Sequence, residues 1–116
     1  MVRIARVYDD PTADDGHRVL VDRLWPRGLH RDDPRIGRWL PAVAPSTELR
    51  RWYDHRAERF AEFTERYRAE LAGGDAAAAV QELRRLADEG RLTLLTATKD
   101  PAVSHLPVLA EAVDAA

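Results

Sequence analysis

The chain has 116 residues, a formal net charge of -2 and no cysteine. That length is about one domain, and such a domain buries roughly two-thirds of the surface its unfolded chain exposes, enough for a core without cross-links. Disulfides, cysteine-based zinc sites and thiol nucleophiles are excluded, and the charge balance lacks the basic excess of a general duplex-DNA binder.

No stretch approaches the roughly 20 apolar residues of a membrane span. Met1–Val7 lacks the apolar run of a signal peptide, so a cytoplasmic location and no membrane partner are expected. All the basic residues except Lys99 are arginine, so an arginine is informative only through its position.

Val2–Tyr8 is β-rich and predicts a first strand, and Asp9–Gly16 is a polar turn. His17–Asp22 predicts a second strand whose continuously apolar centre suits coverage on both faces. From Trp25 to Pro45 the chain is punctuated by proline and glycine, which predicts an ordered loop with one short element around Ile36–Leu40 and Trp39 packed inward.

Ser46 is placed to cap a helix, with Glu48 in its first turn. Leu49, Trp52, Phe60, Phe63, Tyr67 and Leu71 recur at helical spacing, and Asp54-His55 marks a break into two helices. Gly73-Gly74 ends that run, and Asp75 is expected to cap a further helix that Gly90 closes. Leu92–Ala97 predicts a third strand. A last helix capped by Ser104 puts Pro107 in the first turn, where its missing N–H is harmless.

This order predicts one α/β domain over residues 1–116. Its expected architecture is a small three-layer Rossmann-like fold, with a short, mainly parallel sheet of about three strands flanked by helices.

Three segments carry groups suited to ligand chemistry. Asp22-Arg23-Leu24-Trp25-Pro26-Arg27-Gly28 starts at the end of the second strand, and open α/β sheets hold ligands outside the carboxyl ends of their strands. Asp22 suits a general base or an orienting carboxylate. Arg23 and Arg27 offer forked donors for phosphate or carboxylate, and Trp25 offers a stacking surface. The competing reading is an internal Asp–Arg pair that pins a loop.

The second segment is Ser46 with Arg50, at a helix N-terminus that can hold an anion or simply be capped. The third follows the last strand. Lys99 can offset negative charge or act as an acid, and His105, expected as the first helical residue, should stay neutral and able to exchange a proton. A solvated lysine and a packed histidine are the plain alternatives. The three segments meet only if the strands run parallel. No histidine pair has zinc-site spacing, and no nucleophile elbow, phosphate loop or dinucleotide fingerprint occurs, so neither a metal nor a cofactor is expected.

Arg6-Val7-Tyr8-Asp9, the run from Arg18 to Gly28, Ala44–Arg50, the set Phe63, Tyr67, Glu70 and Leu71, and Leu92–Leu95 together resemble the YeaO-like bacterial proteins of the DUF488 group. The resemblance spans Arg6 to about Leu109 and implies a small α/β domain with no established activity. Relatives tend to read Asn-His-Ala where this chain has Ser104-His105-Leu106. Some relatives carry a transcription-regulator label, but no helix-turn-helix with a basic recognition helix is visible here.

Function is therefore expected in one of two classes. The first is an enzyme or binding domain for a small anionic, phosphate-bearing or nucleotide-like ligand. Arg23, Arg27, Ser46 and Arg50 would hold the anion, and Asp22, Lys99 and His105 would handle charge and protons. The second is a non-catalytic module that engages a protein or structured nucleic acid through the Trp25–Trp39 loop.

Overall fold

The computed structural model describes residues 2–115. Four strands, β1 (Val2–Arg6), β2 (His17–Leu20), β3 (Arg38–Trp39) and β4 (Leu92–Thr96), form one sheet in the order β1-β4-β2-β3. All three pairings are parallel. β4 therefore lies between β1 and β2, and all five of its residues are buried. This explains why Leu92-Thr93-Leu94-Leu95-Thr96 reads as an unbroken run rather than an alternation.

Pleating divides the apolar side chains between two faces. Val2, Val19, Val21, Leu92 and Leu94 join the larger core. Val7, Leu20 and Leu95 form a smaller cluster on the opposite face. Four helices supply the rest of the larger core: α1 (Thr47–Tyr53), α2 (Phe60–Leu71), α3 (Gly74–Glu89) and α4 (Leu106–Asp114). The smaller cluster is covered by Trp25, Leu29, Ile36 and Trp39 of the long loop. The three layers are thus helices, sheet and an ordered loop.

The short element expected around Ile36–Leu40 is an edge strand. It docks because Gly37 N–H donates to Arg18 O at 3.0 Å and Leu40 N–H to Leu20 O at 2.9 Å. A side chain at Gly37 would place a Cβ 3.1 Å from that same Arg18 oxygen. Trp39 is half-buried, and its indole N–H donates to Asp22 O at 2.8 Å.

Ser46 caps α1 as expected, its hydroxyl accepting from Leu49 N–H at 3.1 Å. The break at Asp54-His55 is present, and a single 3-10 turn (Ala57–Arg59) leads into α2. Two caps differ from expectation. Gly73 caps α3, and Asp75 lies within the first turn, where the dipole still favours its charge. α4 starts at Leu106, so His105 is the N-cap, although the Ser104 hydroxyl still accepts from Leu106 N–H at 3.1 Å. Pro107 falls in the first turn. Among the described residues no helix is long and apolar enough to cross a membrane.

At the N-terminal edge of the sheet, Arg18 and Asp15 form a buried pair at 2.5 Å. The same guanidinium donates to Arg35 O at 2.7 Å and Asp9 O at 2.9 Å, pinning two loops. Removing one partner of a buried pair strands the other. Arg18→Met should therefore lower the unfolding free energy by about 3 kcal/mol in urea titration. Arg85→Met, which breaks an exposed pair with Glu82, should change it by less than about 1 kcal/mol. Equal effects would contradict this assignment.

Candidate functional site

Parallel strands place their carboxyl ends together, and a cavity of about 460 Å³ opens there. Its lining includes Asp22, Arg23, Trp25, Arg27, Arg50 and His105. Residues from three separate segments thus meet at the mouth between β2 and β4. Two of the anticipated residues lie elsewhere: neither Ser46 nor Lys99 lines the cavity. The Ser46 hydroxyl is committed, since it donates to Glu70 at 2.6 Å while accepting from Leu49. Lys99 is exposed.

Asp22 lies two residues beyond β2, and its carboxylate bridges to the end of β4. One oxygen accepts from Thr96 Oγ1 at 2.7 Å, the other from Ala97 N–H at 2.8 Å. Both oxygens are thereby engaged with neutral donors, and Asp22 acts as a clamp between the two central strands. His105 Nε2 is 3.7 Å from Asp22 Oδ1, beyond hydrogen-bond reach, and lies 2.9 Å from Val21 O. A carbonyl only accepts, so Nε2 carries the proton and Nδ1 presents a lone pair.

Nδ1 makes no protein hydrogen bond. Among the described residues the buried side-chain nitrogen or oxygen without a partner is Arg84 Nε, so His105 Nδ1 keeps contact with the cavity. The histidine's pKa is lowered from 6.5. Burial is the chief cause, opposed by the charge of Asp22 and aided by that of Arg50. That direction agrees with the expected neutral ring, with burial as its chief cause.

The arginines behave differently from those elsewhere. Arg23 donates through Nε and Nη2 to the carbonyls of Pro45 and Ala44, at 3.1–3.3 Å. Those carbonyls hold it in place without neutralising it. Arg27, Arg50 and Arg51 are exposed and make no salt bridge among the described residues. Most arginines outside the lining do have a carboxylate partner, as in Arg18–Asp15, Arg38–Glu82 and Arg91–Asp14. Against Arg23, Arg27, Arg50 and Arg51 the lining sets only Asp22 and Asp54. The cavity wall is otherwise apolar, with Tyr53 and Phe63 stacked at 4.4 Å and Trp25 edge-on to Trp39 at 5.5 Å.

The residues that sequence reasoning missed, Arg51, Tyr53, Asp54 and His55, come from the end of α1. Helical spacing gave one signal, because Arg50 and Asp54 are four residues apart and share a face. Asp54 and His55 are also the only non-glycine residues with positive φ among those described, at 48° and 54°. The left-handed region is disfavoured for side-chain-bearing residues by about 1–3 kcal/mol each. No cluster of three or more potential metal-ligating His, Cys, Asp or Glu side chains occurs among the described residues.

A family model described as the inactive DUF488-N3 subclade matches residues 1–116. The chain belongs to the DUF488 family. Uncharacterised proteins of Mycobacterium tuberculosis and Mycobacterium bovis are each 54% identical to it over 110 residues, covering 95% of this chain and 91% of the relative. The uncharacterised protein YeaO of Escherichia coli is 42% identical over 113 residues, covering 95% of this chain and 94% of YeaO. No solved structure gives a significant match. These DUF488 relatives carry no assigned activity in their names, so the chemistry has to be argued from the cavity.

Two outcomes test this assignment of roles. An asparagine at position 22 can still accept from Ala97 N–H and donate to Thr96 Oγ1, whereas alanine leaves both groups unpaired. Asp22→Asn should therefore be tolerated, and Asp22→Ala should lower stability by about 2–3 kcal/mol by urea titration. The second concerns pH. Below 6.5 the unfolded chain binds a proton at His105 that the folded chain resists, so this contribution is full above pH 6.5 and declines as pH falls toward the lowered folded value. The urea midpoint of the wild-type chain should drop between pH 7 and 5, and His105→Gln should lose part of that slope. Identical slopes would show that His105 is not buried neutral.

Proposed function

We propose that this chain is a binding domain for a small anionic ligand seated at the mouth between β2 and β4, and that it does not catalyse a reaction. One observation carries the reading: Arg23, Arg27, Arg50 and Arg51 converge on one cavity without a carboxylate partner. Forked guanidinium donors suit phosphate and carboxylate oxygens, and like charges gathered in a concave, partly apolar wall favour an incoming anion.

The absence of catalysis is argued from commitments. Asp22 has both oxygens engaged, and Ser46 and Ser104 spend their hydroxyls on caps and a backbone carbonyl. Lys99 stands outside the lining, and His105 has one nitrogen tied to Val21 O. A nucleophile paired with a base is therefore lacking among these groups. The description of the matched subclade as inactive points the same way.

The alternative, a module that docks a macromolecule through the Trp25–Trp39 loop, has less support. Both indole N–H groups donate to the chain's own carbonyls, Trp25 to Leu29 at 2.9 Å and Trp39 to Asp22 at 2.8 Å. Both rings also pack on the smaller core.

Thermal unfolding in inorganic phosphate, against chloride at matched ionic strength, tests the proposal. Phosphate should raise the melting temperature saturably by several degrees. The double variant Arg27→Gln/Arg50→Gln, which removes exposed arginines that make no side-chain bond to the protein, should fold normally and lose the response. No phosphate-specific rise in the wild-type chain would sink the reading.

A further inference from the structure

The cavity holds more than the arginines require. A bare phosphate would leave most of about 460 Å³ unfilled. Beyond the anion-seeking groups the lining carries two acceptors that do not suit an anion, the Asp54 carboxylate and the lone pair of His105 Nδ1, together with the His55 ring, which suits either kind of partner.

Asp54 and His55 stand out through their backbone. They are consecutive and both left-handed, a region that Asp and His enter more often than most side chains and glycine enters freely. Asp54 has a local reason to be there, since its N–H donates to Arg50 O and closes α1. His55 has no such role; the next backbone bond of the turn runs from Arg56 N–H to Tyr53 O.

Nor do the two side chains recover the strain through contacts with the protein. Asp54 is 3.9 Å from Arg56, with both side chains more than half exposed, an arrangement that contributes little. His55 lies 6.3 Å from the Tyr53 ring, tilted and exposed. A turn needed only for its shape would be served as well by glycine at both positions. Side chains kept in strained backbone at the rim of a cavity are better explained by what enters the cavity.

Building on the anion-binding reading, we infer that the ligand is a phosphate ester that also bears hydroxyl groups, as a sugar phosphate does. Its anion meets the arginines, and its hydroxyls are read by Asp54, His55 and His105 Nδ1. The chemistry follows from donor and acceptor types. A carboxylate and an unprotonated ring nitrogen accept hydrogen bonds, and a hydroxyl supplies the donor. The imidazole of His55 can accept or donate. Leu24, 68% exposed in the same lining, offers an apolar surface to a carbon skeleton.

Isothermal titration with ribose 5-phosphate, ribose and inorganic phosphate tests this. In the wild-type chain ribose 5-phosphate should bind at least tenfold tighter than phosphate. Asp54→Gly/His55→Gly, which removes a carboxylate from the lining, should bind phosphate at least as tightly as the wild-type chain does and lose the tenfold advantage. Relief of the left-handed backbone and the added freedom of the unfolded chain oppose each other, so this variant should melt within a few degrees of the wild-type chain. Asp54→Asn/His55→Asn, which keeps a residue type tolerant of the left-handed region and an amide oxygen that accepts from a hydroxyl, should retain part of the advantage.

If phosphate binds but ribose 5-phosphate binds no tighter, or if the glycine variant keeps the full preference, hydroxyl recognition is wrong and anion binding stands. A marked drop in melting temperature of the glycine variant would show the two side chains to be structural and overturn the inference. If neither phosphate compound binds, both readings fall.

Discussion

Asp22 is the constraint on which the site depends. Its carboxylate takes a hydroxyl and an amide from the end of β4, while its own position is two residues past the end of β2. Two central strands are thus held in register at their carboxyl ends, where a parallel sheet would otherwise splay into solvent. The same residue's carbonyl accepts the Trp39 indole, so the loop over the opposite face is tied to the clamp. An acidic side chain that reads on paper as a general base is spent on architecture. That expenditure sets the shape of the cavity beside it.

Charge is distributed to match. Elsewhere the acidic and basic side chains are interleaved, and arginines such as Arg18, Arg38 and Arg91 face carboxylates. Around the mouth the pairing stops. Among the described residues Arg23 is held only by carbonyls, which orient the guanidinium without cancelling its charge, and Arg27, Arg50 and Arg51 have no acidic partner. A net charge of -2 for the whole chain conceals a locally positive cavity. Global charge bears on solubility and nonspecific partners, whereas recognition depends on the few charges left uncompensated in one concave place.

Much of the fold was legible in the linear order of residues. Apolar runs at 17–22 and 92–97 marked the central strands, helical spacing from Leu49 to Leu71 marked α1 and α2, and Pro107 forced the last helix to start late. The edge strand at Arg38–Trp39 was legible only as a short element, because two residues carry no period. Its identity comes from two hydrogen bonds to β2 and the side-chain-free approach at Gly37. Asp75 and Ser104 have capping chemistry, yet Gly73 and His105 occupy the caps. Side-chain type suggests a helix start without deciding which residue turns first.

Residue order alone was enough for the α/β class and for placing Asp22–Arg27 at the end of a strand, and it brought His105 and Arg50 to the same neighbourhood on the condition that the strands run parallel. These follow from local rules: periodicity, caps and the geometry of strand ends. The folded chain settled that Asp22 is fully engaged, that Ser46 is drawn to Glu70, that Lys99 lies outside the lining, and that Arg51, Asp54 and His55 belong to it. Engagement depends on partners distant in the chain. Thr96 is 74 residues from Asp22 and Glu70 is 24 from Ser46, and no local pattern reports which donors the fold will bring within 3 Å.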